Sequence, residues 1–150
     1  MMQNQDPYNL NRFVEAQASN YDDALAELHA GSKQTHWSWY VFPQVRGLGS
    51  SPASVRYAIT SLAEASAFLA HPVLGPRLRE CVKAMMAHRG LSAAQILGDI
   101  DAQKFRSCMT LFALVVPSDG IFRDALKKYF DGVPDAATLS ILGRQPTATK

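Results

Sequence analysis

One aromatic-rich segment early in the chain holds the side chains best suited to chemistry. Both tryptophans, Trp37 and Trp39, lie there beside His36, whose imidazole can act as an acid or a base near neutral pH. Trp and Tyr rings combine a flat face with a polar edge, which suits stacking against a nucleobase or another planar ligand. Downstream, Arg46 and Arg56 offer guanidinium groups to a phosphate or carboxylate. These residue types predict a pocket for a nucleotide-like or other anionic planar ligand.

The candidate site contains two kinds of residue. His36 and Glu64 are the candidates for moving a proton or activating a water molecule. The candidate ligand-binding residues share an aromatic, cationic or hydrogen-bonding side chain, and they are Trp37, Trp39, Gln44, Arg46, Ser50, Ser51, Arg56, Tyr57 and Lys104. The residues leave open whether the protein is an enzyme. No cofactor is predicted, and no metal site, since His-Glu-x-x-His and Cys-x-x-Cys pairs are absent.

The aromatic residues also have a structural interpretation. Aromatic side chains in a small domain usually belong to the core, and this would account for most of Trp37, Trp39, Tyr40 and Phe42. A second functional hypothesis follows if they are exposed instead. In that case Trp39, Tyr40 or Phe42 would bind a partner protein, and the domain would be an interaction module without catalytic activity.

The remaining candidates have structural alternatives of their own. The glycines that precede Ser50 fit a turn with positive φ, and the stretch lacks the Gly-Lys-Ser/Thr ending of a P-loop. Ser51 and the proline after it are typical of a helix start. Glu64 forms a capping box with Ser61, and Lys104 fits a lysine whose stem covers the core while its ammonium group reaches water.

Composition excludes several classes of protein. The chain has 150 residues and a net charge of +2, which argues against a long nucleic-acid track while leaving room for a small anion. No run of about 18 apolar residues is present, so no membrane span is expected. The first residues lack the pattern of a secretory signal, and Cys81 and Cys108 lie in apolar helical patterns. These features predict a reduced, cytoplasmic protein, and they leave its oligomeric state open.

Apolar spacings of three and four residues dominate the chain and predict an all-α fold. We expect a single compact domain of about seven to nine helices, with an aromatic-rich irregular segment at about 32–51. The ordered core should extend over about 6–142, with polar ends at about 1–5 and 143–150. The central helix should start at Asp101 and become apolar on all sides before Pro117 stops it.

Start and stop signals set the other helices. Asp6-Pro7 predicts a first helix over about 7–18, and Gly31 a left-handed end to the second. Ser51, Ser61 and Ser92 are each expected to cap the helix that follows. A further helix should run from Asp119 to Phe130, and Asp135 should cap the final helix.

Five ordered blocks of sequence resemble the domain-of-unknown-function 1810 family. They are Asp6-Pro7-Tyr8-Asn9-Leu10-Asn11-Arg12-Phe13, Thr35-His36-Trp37-Ser38-Trp39-Tyr40-Val41-Phe42-Pro43-Gln44, Gly47-Leu48-Gly49-Ser50-Ser51-Pro52, His71-Pro72-Val73-Leu74-Gly75-Pro76-Arg77-Leu78 and Lys104-Phe105-Arg106-Ser107-Cys108-Met109-Thr110-Leu111-Phe112. The resemblance extends over nearly the whole chain. It implies a compact, mainly helical bacterial domain without an established activity.

The chain also shows a much weaker similarity, in its general sequence features alone, to the NADAR group of helical domains, which act on ADP-ribose derivatives and N-glycosidic bonds. The shared features are a His-aromatic segment, a Gly/Arg stretch and a basic helix. In that group a glutamate precedes the histidine-aromatic pair, whereas here Thr35 precedes His36. The similarity implies that the predicted pocket hydrolyses an N-glycosidic bond in an ADP-ribose-type substrate.

Overall fold

The computed structural model describes residues 6–116 and 120–143, and it folds these ranges into ten helices. In chain order the helices are α1 (Asn11–Gln17), α2 (Tyr21–Ala30), α3 (Ser38–Val41), α4 (Pro52–Arg56), α5 (Leu62–Ala70), α6 (Leu74–Met86), α7 (Ala93–Leu97), α8 (Asp99–Val115), α9 (Ile121–Phe130) and α10 (Ala136–Ile141). No strand occurs in these ranges. The predicted all-α class and single compact domain are confirmed.

The predicted helix ends depend on caps that form as expected. The side chains of Ser51, Ser61 and Asp135 each accept a hydrogen bond from a backbone N–H in the first turn of the helix that follows. Ser92 does the same and completes a capping box with Gln95. Gly31 ends α2 in the left-handed region, with a φ of 75° that glycine adopts without strain.

Three boundaries differ from the sequence expectation. The segment at 32–51 contains α3, a single turn that its aromatic composition does not signal and that adds one helix to the predicted range of seven to nine. The first helix begins at Asn11 rather than at residue 7, because Asn9 has a φ of 52° that interrupts the right-handed helix. Asp6 still acts as a cap, since its carboxylate accepts the N–H groups of Leu10 and Asn11. The central helix begins at Asp99 instead of Asp101.

Several predicted features lie outside the described residues. These are most of the two polar ends, the stop at Pro117 and the start of a helix at Asp119. These expectations therefore remain predictions from the sequence.

Helix α8 is the centre of the fold. Its buried residues include Phe105, Cys108, Met109 and Phe112, and it packs against α5, α7 and α9. Cys108 and Cys81 are both free thiols inside this core, and burial raises the pKa of Cys81 to about 12. Among the described helices, none is both long enough and apolar enough to cross a membrane.

Candidate functional site

Two short extended segments meet at the edge of the helical core. Val45 and Ile59 form an isolated parallel bridge, in which the Arg46 N–H donates to the Ile59 carbonyl at 2.8 Å and the Ile59 N–H donates to the Gln44 carbonyl at 2.9 Å. The bridge joins the stretch before α4 to the stretch after it. As a result Arg46 lies close to Arg56 and to the start of α5.

Arg12 fixes this arrangement from the other side. Its Nε donates to the Arg56 carbonyl, its Nη1 to the carbonyls of Tyr8 and Asn9, and its Nη2 to the Ala58 carbonyl. The remaining Nη2 donor reaches Glu64 Oε2 at 2.9 Å. A guanidinium has five N–H donors, so every one of them is used within the protein. Arg12 therefore positions the surrounding backbone and has no N–H left for a ligand.

Glu64 lies at the base of the arrangement and is only 2% exposed. Its Oε1 accepts from the N–H of Thr60 at 2.9 Å and from the Thr60 hydroxyl at 2.8 Å. Its backbone N–H donates to Ser61, as the predicted capping box requires, but its carboxylate turns to Thr60 rather than to the Ser61 N–H. Half of the capping box thus forms, and the carboxylate is left for the ion pair with Arg12.

A depression of about 320 Å³ opens above these residues. Its lining includes Arg46, Arg56 and Glu64, three of the predicted site residues, together with Tyr8 and Thr60. Arg46 and Arg56 are both exposed. Within the described part of the chain, neither guanidinium pairs with a carboxylate. We call this feature the arginine depression.

A narrower cleft adjoins the arginine depression and shares Arg46 with it. Trp39, Gln44 and Tyr57 line this cleft, whose volume of about 20 Å³ is close to that of one water molecule. The Tyr57 ring packs against the rings of Phe13 and Tyr40 at centroid distances of 5.8 and 5.3 Å. Trp39 and Tyr57 thus line the adjoining cleft rather than the arginine depression, and this cleft is too small for a planar ligand.

Trp37 belongs to the core rather than to the depression. Its side chain is 1% exposed, and its Nε1 donates to Glu27 Oε1 at 2.9 Å. Glu27 also accepts the N–H groups of Gln34 and Thr35 and the hydroxyl of Thr35. Partial burial raises the pKa of Glu27, but these hydrogen bonds outweigh it and lower the pKa from 4.5 to about 2. The carboxylate therefore holds the 34–37 segment against α2.

Lys104 lies in a separate group of charges. Its Nζ is 3.2 Å from Asp101, which also pairs with Lys33 at 2.8 Å. Each ammonium group lies over an indole ring, Lys104 over Trp39 at 4.7 Å and Lys33 over Trp37 at 5.0 Å. Partial burial raises the pKa of Asp101, but its hydrogen bonds and charge interactions with Lys33 and Lys104 give a net lowering. Lys104 thus has its own carboxylate partner and is not among the residues that line the arginine depression.

The other predicted residues lie apart from the depression. His36 is exposed and lines neither the depression nor the adjoining cleft. Ser50 is exposed as well, and the Ser51 hydroxyl caps α4 and contacts Ser54. Within the described residues, no group of three or more His, Cys, Asp and Glu side chains could hold a metal ion.

Sequence reasoning missed Arg12, Thr60 and Tyr8 as residues of the site. The role of Arg12 has no local signal, because its partners include the Ala58 carbonyl and the Glu64 carboxylate, 46 and 52 residues along the chain. Thr60 could have been found, since a threonine just before the Ser61 cap is well placed to donate to the carboxylate at position 64.

Together the fold and the site define a single-domain, all-α protein with a small basic depression at the edge of its core. Comparison with known sequences then gives the family. A family model described as "Protein of unknown function (DUF1810)" matches residues 7–142, and the chain belongs to this family. No curated protein matches the sequence.

A solved structure shows the same fold. The chain is 48% identical to the conserved hypothetical protein Rv1873 from Mycobacterium tuberculosis, whose crystal structure was determined at 1.38 Å. The two structures agree with a TM-score of 0.90, and the match covers 92% of this chain and 99% of that one. The expected family is confirmed, and the descriptions of the family and of Rv1873 state no activity.

Proposed function

We propose that the protein binds a small anionic ligand in the arginine depression. The observation that carries this proposal is the pair Arg46 and Arg56, two exposed guanidinium groups that line one depression and have no carboxylate partner among the described residues. Arginine matches the geometry of phosphate and carboxylate oxygens, with which it forms paired, charge-assisted hydrogen bonds. Glu64 does not cancel this positive charge, because Arg12 already neutralises it.

The size of the depression limits the ligand. Pockets for small molecules usually measure about 300–1,000 Å³, so a depression of about 320 Å³ suits a ligand of mononucleotide size or smaller. A second depression, of about 790 Å³, shares Tyr8 with the first. A nucleotide-like ligand would place its phosphate between the arginines and its base against the Tyr8 ring.

Hydrolysis of an N-glycosidic bond would demand more of the site. Glu64 would have to accept a proton from water, and the neutral carboxyl group formed in this way would lose its ion pair with Arg12 at an almost fully buried position. His36 does not line the depression and would have no part in the reaction. The geometry therefore supports binding better than it supports hydrolysis.

An interaction module built on exposed aromatics is supported less well. Tyr40 and Phe42 are buried, and Trp39 is half-buried beneath Lys104. Aromatic anchors for a partner protein need exposed faces, and two of the three candidates have none.

Thermal unfolding in the presence of inorganic phosphate and of AMP tests the proposal. A ligand at about 100 times its Kd stabilises a protein by about 2.7 kcal/mol. We expect one or both anions to raise the Tm of the wild type and to have little effect on the double variant Arg46→Gln/Arg56→Gln.

The matched control is Arg89→Gln, which removes the charge of an exposed arginine outside the depression. This variant should respond to the anions as the wild type does. An equal rise in Tm for the wild type and the double variant, or no rise with either anion, would overturn the proposal.

A further inference from the structure

The carboxylate of Glu64 keeps one position at which it can accept a hydrogen bond. A carboxylate offers about four acceptor positions, two on each oxygen. Thr60 fills both positions on Oε1, through its N–H and its hydroxyl. Oε2 accepts from Arg12 alone within the described part of the chain, at 2.9 Å. Since Glu64 lines the arginine depression, the remaining position on Oε2 is available to a ligand there.

The surroundings determine which ligand group can occupy that position. An ionised phosphate oxygen cannot, because it is an acceptor and carries the same charge as the carboxylate. An ammonium group is disfavoured, because the guanidinium groups of Arg12, Arg46 and Arg56 surround the same depression. A neutral hydroxyl donates a proton without adding charge, and it forms a stronger hydrogen bond with a carboxylate than with a neutral acceptor.

The charge of the depression indicates the other part of the ligand. Arg46 and Arg56 have no carboxylate partner among the described residues, although Nε of Arg56 donates to the Tyr57 hydroxyl at 3.3 Å. Two such guanidinium groups match a phosphate monoester, which carries a charge of about −1.5 to −2 at neutral pH. A carboxylate brings only one negative charge to the same pair.

One free acceptor position on Glu64 and the guanidinium groups of Arg46 and Arg56 line the same depression. On this basis, and on that of the anion site proposed above, we propose that the ligand is a phosphate monoester that bears a hydroxyl group. Its phosphate binds Arg46 and Arg56, and its hydroxyl donates to Oε2 of Glu64. Sugar phosphates, polyol phosphates and the ribose phosphate of a nucleotide all have this chemistry. Glu64 is then a residue that selects the ligand, and Arg12 is the positioning residue that holds its carboxylate in place.

Three small probes separate the hydroxyl from the phosphate. Ethyl phosphate has no hydroxyl, 2-hydroxyethyl phosphate adds one, and 2-methoxyethyl phosphate keeps that oxygen but cannot donate. Isothermal titration should show 2-hydroxyethyl phosphate binding about tenfold or more tightly than the other two, the effect of one hydrogen bond to a charged group. The two probes without a donor should bind with similar affinity.

A variant assigns the effect to Glu64. Glu64→Gln replaces the carboxylate by a neutral amide and should reduce the preference for 2-hydroxyethyl phosphate to about threefold or less. Glu80→Gln is the matched control, since Glu80 accepts a hydrogen bond from the Tyr21 hydroxyl and does not line the depression. It should keep the full preference. If Glu64→Gln does not fold, the three probes on the wild type still decide whether a donor is needed, and Glu64→Asp, whose shorter side chain withdraws the carboxylate, should lose most of the preference if Glu64 is the acceptor.

The possible failures can be distinguished. Equal binding of all three probes, lost in Arg46→Gln/Arg56→Gln, would overturn the role of the hydroxyl and leave the anion site standing. Equally tight binding of the methoxy and hydroxy probes would show that no donor is needed, which also overturns it. A full preference in Glu64→Gln would overturn the assignment to Glu64. No binding of any probe would overturn the anion site and, with it, this inference.

Discussion

Arg12 is the residue on which the geometry of the arginine depression depends. Its five donors join the loop at Tyr8 and Asn9, the turn after α4 and the carboxylate of Glu64. Its guanidinium also lies 4.3 Å from the centroid of the Phe13 ring. Because these partners belong to separate parts of the chain, a single side chain fixes the relative positions of the residues that line the depression.

We predict that Arg12→Lys destabilises the protein although it keeps the charge. Lysine has three donors in place of five, so at least two of the five acceptors in this partly buried region lose their partner. The expected loss in the free energy of unfolding is about 2–3 kcal/mol, measured by urea denaturation. Arg89→Lys, at an exposed position, should change it by less than about 0.5 kcal/mol. Equal stability of the Arg12→Lys variant and the wild type would contradict the role given to Arg12.

At the scale of elements, the attachment of the 34–37 segment to α2 depends on one carboxylate. Glu27 accepts hydrogen bonds from Gln34, Thr35 and Trp37, and its pKa lies at about 2 instead of 4.5. The lowered pKa means that the folded state favours the ionised form. The stability contributed by this group is therefore fully present above about pH 4.5 and is lost as the pH falls through about 2.

Glu27→Gln should reveal that dependence. The amide keeps one acceptor but turns an NH₂ group toward the backbone donors, so we expect a loss of about 1–2 kcal/mol at pH 6. The difference in unfolding free energy between wild type and variant should shrink as the pH is lowered from 4.5 toward 2. Urea denaturation of both proteins across this range provides the measurement. A difference that does not change with pH would show that the carboxylate is not what holds the segment.

The crossing of α5 and α6 depends on a glycine. A Cβ added at Gly75 would lie 2.1 Å from the backbone carbonyl oxygen of Leu69, and neither backbone can move without separating the two helices. We predict that Gly75→Ala costs about 3 kcal/mol of unfolding free energy.

The matched control for this prediction is Gly120→Ala. Gly120 has a φ of −69°, and the nearest atom to its added Cβ is Asp124 Oδ2 at 3.7 Å. This substitution should change the stability by less than about 1 kcal/mol, as judged by the same urea titration. Similar stability of the two variants would mean that the close approach at Gly75 does not constrain the helix pair.

The sequence predicted the elements well where the signal is local. The caps at Ser51, Ser61 and Asp135 and the left-handed end at Gly31 each depend on a few neighbouring residues, and all of them form. The turn of α3 and the late start of α1 have no such signal. The bridge between Val45 and Ile59 pairs single residues, so it leaves no alternation to detect.

The candidate site could be predicted only in part for a similar reason. Their chemistry predicts Arg46 and Arg56 as an anion-binding pair and Glu64 as a proton-transfer group of the same site, and the fold brings the three to one depression. Trp37 and Lys104 were proposed on the same grounds, but each finds its partner within the protein, in Glu27 and Asp101. Whether a cation is already paired depends on contacts distant in sequence, which composition and spacing do not show.

At the scale of the whole molecule, the modest net charge of +2 is consistent with one small basic site. Three of the cations discussed above form ion pairs within the fold, Arg12 with Glu64 and both Lys33 and Lys104 with Asp101. The positive charge of Arg46 and Arg56, which have no carboxylate partner in the described ranges, is local, and this supports the proposal of a small anion rather than a long polyanion.

The central claim is that small anions bind between Arg46 and Arg56, and an NMR titration of the ¹⁵N-labelled protein with 2-hydroxyethyl phosphate tests it most directly. We predict saturable shifts of the Arg46 and Arg56 side-chain Nε signals and of the Thr60 backbone amide, which donates to Glu64 beside the depression. The signals of Lys33 and Lys104 should stay in place. Saturable shifts confined to Lys33, Lys104 and the surrounding indoles, or no saturable shift at Arg46 and Arg56, would contradict the claim.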